Sequence, residues 1–350
     1  MKLDRSLRTI DDLAAAGFVA EGDKAALAPV AARYAVAITP AMAALIDRND
    51  PDDPMARQFV PDARELVHLP EEREDPIGDH AHSPVEGIVH RYPDRVLLKA
   101  VHICPVYCRF CFRREMVGPE GLGTLAPEAM DRAFAYIAAH PEIWEVILTG
   151  GDPLVLSARR LKEMMGRLAA IPHVKIVRVH SRVPVVEPER IDAGLVEALL
   201  ASKKTVTVAV HANHPRELTH AARAGLALLH RSGVVLLSQS VLLRGVNDDV
   251  ETLAALMRGF VEARVTPYYL HHPDLAPGTS HFRLSIEEGQ KLVAALRGHV
   301  SGLCQPRYVL DIPGGYGKAV IAAPEIAPVG AGHQIRDFRG GFHAYPPEGE

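Results

Sequence analysis

The chain has 350 residues, 39 Lys and Arg against 43 Asp and Glu, a formal net charge of -4, and 48% hydrophobic residues. That length builds one large α/β domain or two smaller ones with ample core. Mild acidity gives no reason to expect nucleic acid or an anionic membrane as a partner, and no apolar run reaches the roughly 18 residues of a membrane span. The charged start "MKLDRSLRTIDDLAAAG" lacks the apolar core of a secretory signal, so a cytoplasmic, reducing setting is expected.

Residues 1 to 60 read as helical and solvent-facing, with apolar residues at helical spacing interrupted by Pro29 and Pro40. "DRNDPDDP" and "LPEEREDPIGDHAHSPVEG" read as surface connectors. From Arg95 onward, β-branched runs alternate with amphipathic stretches. Strands are expected at Arg95–Val101, Glu145–Leu148, Val174–Val179, Thr205–Val210, Val234–Ser238 and Thr266–Leu270. Helices are expected to start near Pro127, Ser157, Asp192, Glu217, Asp249 and Ser285. Six βα units in series imply an α/β fold with a parallel sheet, either doubly wound or an incomplete (β/α)6 barrel. The expected division is an N-terminal helical extension over 1–89, the barrel over 90–301, and a short C-terminal segment over 302–350. Polar and glycine-rich stretches follow the strands: the cysteine loop, "TGGDPL", "HSR", "HANH", "SQS" and "HHPD". A site at the C-terminal strand ends is therefore expected.

The loop "HICPVYCRFCFRRE" places Cys104, Cys108 and Cys111 at C-x3-C-x2-C spacing, with Cys304 the one other cysteine. Three buried small hydrophobes seldom cluster so tightly. A structural zinc site needs four closed ligands, and no fourth lies nearby. Three thiolates suit an iron–sulfur cubane with one iron left open to a small molecule. With "TGGDPL" after the second strand, the loop resembles the radical S-adenosylmethionine (SAM) superfamily. That resemblance implies a [4Fe-4S] cluster on Cys104, Cys108 and Cys111, and SAM on the open iron. Gly150, Gly151 and Asp152 match the segment that meets the methionine end of SAM.

Arg109 and Arg114 read as a solvated basic stretch or as counter-charge to an anionic cluster. Arg113 could equally hold a substrate carboxylate through its forked donors. Near the C-terminus, "VLDIPGGYGKAV" fails the nucleotide P-loop pattern, with Ile312 at the first glycine position and Ala319 in place of Ser/Thr. A tight turn with a surface lysine is one reading. The other is a phosphate-cradling turn whose Lys318 forms a Schiff base with pyridoxal phosphate (PLP), which the preceding strand residue Asp311 favours.

The segments "MAALIDRNDPDDP", "HSPVEGIVHRYPDRVLL", "VYCRFC", "HSRVPVV", "QSVLLRGVNDD", "PYYLHHPDLAPGTSHFR" and "LRGHVSGLCQPRYVLDIPGGYGK" resemble the lysine 2,3-aminomutase family. The resemblance implies a free amino acid as substrate, whose amino group moves from C2 to C3 with the help of the cluster, SAM and PLP. It implies Lys318 as the PLP lysine, Arg91 and Arg95 at PLP, and Arg113 at the substrate carboxylate. Asp274 and Asp311 match the aspartates that hold the side-chain ammonium. An electron donor such as flavodoxin or ferredoxin and a homo-oligomer are implied as well. Some features depart from the family: Tyr316 interrupts the glycines, and His271 stands where a tyrosine is expected. Zinc is not expected, since no cysteine-rich tail follows Tyr345. "CRFCFRR" is also similar to the relatives that modify lysine for elongation factor P, although those lack the "DIPGGYGK" form of the turn. An arginine aminomutase could tolerate the two acids; a glutamate enzyme would want cations there.

Overall fold

The computed structural model describes residues 4–116, 123–330 and 332–347. β1 (Ile88–Tyr92) runs antiparallel to β2 (Arg95–Val101). Six further strands then add in parallel: β3 (Glu145–Gly150), β4 (Ile176–Ser181), β5 (Thr205–His211), β6 (Val235–Val241), β7 (Thr266–His271) and β8 (Arg307–Ile312). β9 (Gly317–Val320) returns antiparallel along β8. Among the described residues the sheet has nine strands in strict chain order. A doubly wound sheet would reverse its order at a switch point. Unbroken order means every crossover advances in one direction, which curls the sheet into an incomplete barrel. β8 adds a seventh parallel strand to the six βα units.

The crossover helices bury one face each. In Ala158–Ala169 the buried residues are Leu161, Met164, Met165 and Leu168, the i, i+3, i+4, i+7 pattern of a helix on a sheet. Ser157, Asp192, Thr219, Asp249 and Ser285 cap their helices by accepting a backbone N–H with the side chain. The helix expected near Glu217 starts at His220 instead, because Pro215–Glu217 forms a separate 3-10 turn that turns Glu217 inward. β10 (Ile326–Val329), β11 (Gly332–Arg336) and β12 (Phe342–Tyr345) form a separate antiparallel meander. Among the described residues, no helix is long and apolar enough to cross a membrane.

The N-terminal residues correct their sequence reading. They are helical in part, at Ile10–Ala15, Lys24–Arg33, Pro40–Ala43 and Pro54–Phe59, but they do not simply face solvent. Leu13, Val30, Tyr34, Ile38, Met42, Met55 and Phe59 are fully buried in the same cluster as Val146 and Val177 of the barrel. Pro29 lies inside its helix on the exposed side, where water can satisfy the carbonyl it leaves without a partner. The second connector is not a plain surface loop either, because Ile77 and Asp79 are buried.

Arg109 and Arg114 are buried rather than solvated, and the Arg114 charge still reaches the Cys111 thiol. Both close on the fully buried Glu65: Arg109 Nε donates to Glu65 Oε1 at 2.9 Å, and Arg114 Nη2 donates to Oε2. Arg114 also lies 3.6 Å over the Tyr34 ring and donates to the Gly278 carbonyl at 3.0 Å. The N-terminal region thus clamps the cysteine loop through a buried ion cluster. Removing one member of such a cluster strands the others, at a cost of about 3–5 kcal/mol. Glu65→Gln should therefore lower unfolding free energy by about that much in a urea titration. A change of less than about 1 kcal/mol, as for exposed pairs, would contradict the clamp.

Candidate active site

The end of β3 is pressed onto the start of the cysteine loop. The Gly151 N–H donates to the Val101 carbonyl at 2.5 Å and the Asp152 N–H to that of Ile103 at 2.9 Å. A Cβ on Gly150, whose φ is +110°, would stand 2.3 Å from Val101 O, and one on Gly151 would stand 2.3 Å from Ile103 O. Only glycine allows this approach. The Asp152 carboxylate accepts from Ser181 Oγ at 2.8 Å and from the N–H groups of Arg182 and Leu154 at 2.7 and 3.0 Å. It ties the ends of β3 and β4 together. The segment expected at SAM is therefore also the brace that fixes the cysteine loop.

Within that loop, burial raises the thiol pKa of all three cysteines, most strongly at Cys104 and to about 11 at Cys111. At Cys104 and Cys111 the neighbouring thiols push further in the same direction. A bound cation reverses this, since thiolates that repel one another are stabilised by a shared metal. No group of three His, Cys, Asp or Glu side chains among the described residues converges on a single-ion site. Three thiols on one loop suit a polynuclear cluster.

Arg182 Nη1 donates to Cys108 Sγ at 2.8 Å. Its Nη2 donates to Gln58 Oε1 at 2.6 Å and to Glu217 Oε2 at 2.8 Å. Sequence reading saw "HSR" only as polar residues at a strand end; Gln58 and Glu217 carried no local signal. Cys304 is buried in the turn before β8. Anaerobic reconstitution should load about four irons per chain. Cys104→Ala, Cys108→Ala and Cys111→Ala should each abolish that loading while Cys304→Ala keeps it. Loss of iron in Cys304→Ala would refute the ligand set.

The Lys318 turn lies across the barrel mouth. Gly314, Gly315 and Gly317 have φ of +90°, +88° and +93°, while the intervening Tyr316 side chain stands in solvent. The turn seats on the second connector: a Cβ on Gly78 would meet Gly315 N at 2.4 Å, and His82 Nε2 donates to the Gly315 carbonyl at 3.0 Å. Lys318 N–H donates to the Tyr92 hydroxyl at 2.8 Å. Its Nζ lies 2.6 and 2.5 Å from the two oxygens of Asp311. Burial alone would raise the Asp311 carboxyl, but the His271 contact and the Lys318 charge together hold it below the usual range. His271 Nδ1 lies 3.4 Å from Asp311 Oδ2. Asp274, on the loop after β7, is pushed up to about 7 by burial and then by the Asp311 charge.

Arg113 Nη2 donates to Asp79 Oδ2 at 3.0 Å, and its Nη1 lies 3.4 Å from Thr149 Oγ1. Arg91 Nη2 donates to Asp79 Oδ1 at 3.2 Å, and its Nη1 is 3.9 Å from Asp311 Oδ1. Asp79, which sequence reading left in a surface loop, thus joins the two arginines. Burial would raise its carboxyl, but Arg113, Lys99 and Arg91 hold it below the usual value. Arg95 pairs with Asp94 at 2.7 Å and lies 3.8 Å over the Tyr92 ring, so it reaches the lysine turn through Tyr92. His180 Nε2, His271 Nε2, Arg91 Nε and Arg113 Nε are buried without a partner among the described residues. Such atoms in a barrel mouth fit a polar ligand the size of a cofactor or amino acid.

The radical SAM superfamily model matches residues 98–257. An L-lysine 2,3-aminomutase from Clostridium subterminale is 42% identical over 313 residues, covering 89% of this chain and 74% of the relative. One from Bacillus subtilis is 35% identical over 346 residues, covering 99% and 73%. One from Escherichia coli K12 is 40% identical over 269 residues, covering 77% and 78%. Likeness of this extent reaches from the N-terminal clamp through the cysteine loop to the strands of the barrel. The chain therefore belongs to the lysine 2,3-aminomutase family and is a radical SAM isomerase, working with a [4Fe-4S] cluster and SAM.

Proposed function

We propose that the chain interconverts L-lysine and β-lysine by moving the amino group between C2 and C3, with PLP carried on Lys318. The observation that carries this reading is the acid pair at the barrel mouth. Asp311 holds an alkylammonium, that of Lys318, while Asp274 stands close enough for the two carboxylates to perturb each other. Two neighbouring carboxylates repel, and one tends to take up a proton. An ammonium between them removes that conflict through charge-assisted hydrogen bonds. A glutamate side chain would add a third negative charge.

In this reading Cys104, Cys108 and Cys111 hold the cluster, and Gly150, Gly151 and Asp152 shape the wall for SAM. Arg91, and Arg95 through Tyr92, lie toward PLP. When bound, these groups supply a 5′-deoxyadenosyl radical to take a hydrogen from C3 and an aldehyde carbon to carry the migrating nitrogen. The chain's own residues do the positioning. Arg113, oriented by Asp79, fixes the substrate carboxylate, and Asp274 and Asp311 fix the far ammonium. The two contacts together measure both charge and length. With both ends held, C2 and C3 cannot slide relative to the radical source, which is the main catalytic contribution open to the protein. The connector lying over the lysine turn helps to exclude water from a reactive site.

Asp274→Asn and Asp311→Asn should each depress lysine turnover by orders of magnitude, consistent with about 3–5 kcal/mol for one member of a buried charge pair. The variants should keep their iron, and Asp274→Asn should still give a borohydride-fixed PLP label on Lys318. Full lysine activity in the double variant would overturn the reading, as would a label on another lysine or faster turnover of glutamate by the unaltered protein.

A further inference from the structure

Lys99 stands on β2 in register with Thr149 of β3. On these two strands Val96, Leu98 and Ala100 join Val146 and Leu148 in the core beneath the helices. The alternate positions face the barrel interior, so Lys99 and Thr149 lie side by side there. Thr149 Oγ1 is the atom that lies 3.4 Å from Arg113 Nη1. Lys99 is thus a barrel-lining cation on the Arg113 side of the mouth, and it is 6% exposed.

Its charge has no counterpart of its own. The two oxygens of Asp79 accept from Arg91 and Arg113. Asp75 accepts from the N–H groups of Asp79 and His80. Among the described residues the Lys99 ammonium forms no ion pair or hydrogen bond, and Asp79, Arg113 and Asp75 act on it as charges at a distance. Arg91 also reaches toward Asp311, so the unmatched charge lies with Arg113 and Lys99. A buried cation without a partner is costly, and an anionic group from a ligand is expected beside it. Lys318 and Asp311, at the other end of the mouth, are not among the charges acting on Lys99. That separation favours a substrate carboxylate over a phosphate carried at the Lys318 turn.

We propose that Lys99 donates to the α-carboxylate of the substrate together with Arg113, making Lys99 a specificity-determining residue for amino acids over simple amines. The inference rests on the lysine reading above and adds one contact to it. Two cations side by side repel, and a carboxylate between them removes the conflict, as an ammonium does for Asp274 and Asp311. An amine without a carboxylate leaves that conflict standing.

Binding of radiolabelled L-lysine to the reconstituted holoenzyme, without reductant, is measured by equilibrium dialysis. L-lysinamide, which keeps both amines and replaces the carboxylate by a neutral amide, is measured alongside, as are SAM, PLP and iron content. Lys99→Met should weaken lysine binding by between about tenfold and about a hundredfold, the loss of one charge-assisted hydrogen bond. Lysinamide binding should change by less than about twofold, and SAM, PLP and iron should be retained. Lys99→Gln, which keeps a neutral donor, should lose less than Lys99→Met, and KM for lysine should rise more than kcat falls. Unchanged lysine binding in Lys99→Met would overturn the proposal. So would an equal loss for lysine and lysinamide, which marks a structural role, or loss of PLP alone, which would place Lys99 at the phosphate. Failure of the unaltered holoenzyme to bind lysine would defeat the substrate reading itself. Lysine binding that needs Arg113 but ignores Lys99 would defeat only this inference.

Discussion

Buried carboxylates organise the upper end of this barrel. Glu65, Asp79, Asp152, Glu217 and Asp311 are each at most 5% exposed, and charge so deeply placed is tolerated only when it is neutralised or fully hydrogen-bonded. Every one of them finds its partners on another element. Glu65 binds two arginines of the cysteine loop, and Asp152 binds the β4 end. Glu217 meets Arg182 across 35 residues and Gln58 across 159. Asp79 gathers Arg91 and Arg113, and Asp311 takes Lys318. The hydrophobic core sets the strand order. These ionic ties fix where the loops above it stand, and so where the cysteines and Lys318 are presented.

That division explains what could be read from the sequence. The parallel strands carry β-branched runs, and most of their helices begin with a local cap, so the barrel and the end holding the site were legible. The cysteine spacing and the glycine turn before Lys318 are also local patterns. Glu65, Asp79, Gln58 and Glu217 are not, because their ties to the site run to partners distant in the chain, and for Glu65 and Glu217 the local signal is only a turn cap. Glu65 and Asp79 sit in Pro- and charge-rich stretches that look like solvated loops. Nothing in the sequence alone says that they fold inward. The N-terminal helices misled for a related reason. Their alanines and short apolar stripes resemble a surface helix until the barrel supplies the other half of the core.

Asp311 has a double role in the proposed reaction. It holds Lys318 Nζ in the structure described here, and it is also the acceptor assigned to the substrate ammonium. The two occupants are chemically alike and would use the same carboxylate in turn. In the proposed reaction, PLP held by Lys318 would remove that ammonium from competition and leave the acid pair to the substrate. Burial and the Asp311 charge raise the Asp274 carboxyl to about 7, and a cation near the pair favours its ionised form. At the other end Arg113 donates through Nη2 to Asp79 and lies near Thr149 through Nη1, while its Nε has no partner among the described residues and would face the proposed substrate carboxylate.

In the proposed reaction the pocket holds free lysine at both ends while nitrogen moves between adjacent carbons. This is tested most directly by giving the reduced holoenzyme L-lysine carrying nitrogen-15 at the α-amino group and following the product by NMR. The account predicts β-lysine with nitrogen-15 on C3, unlabelled nitrogen at the far end, and no net loss of ammonia. Lysine recovered unchanged under conditions that cleave SAM, or label released to solution as ammonia, would contradict it.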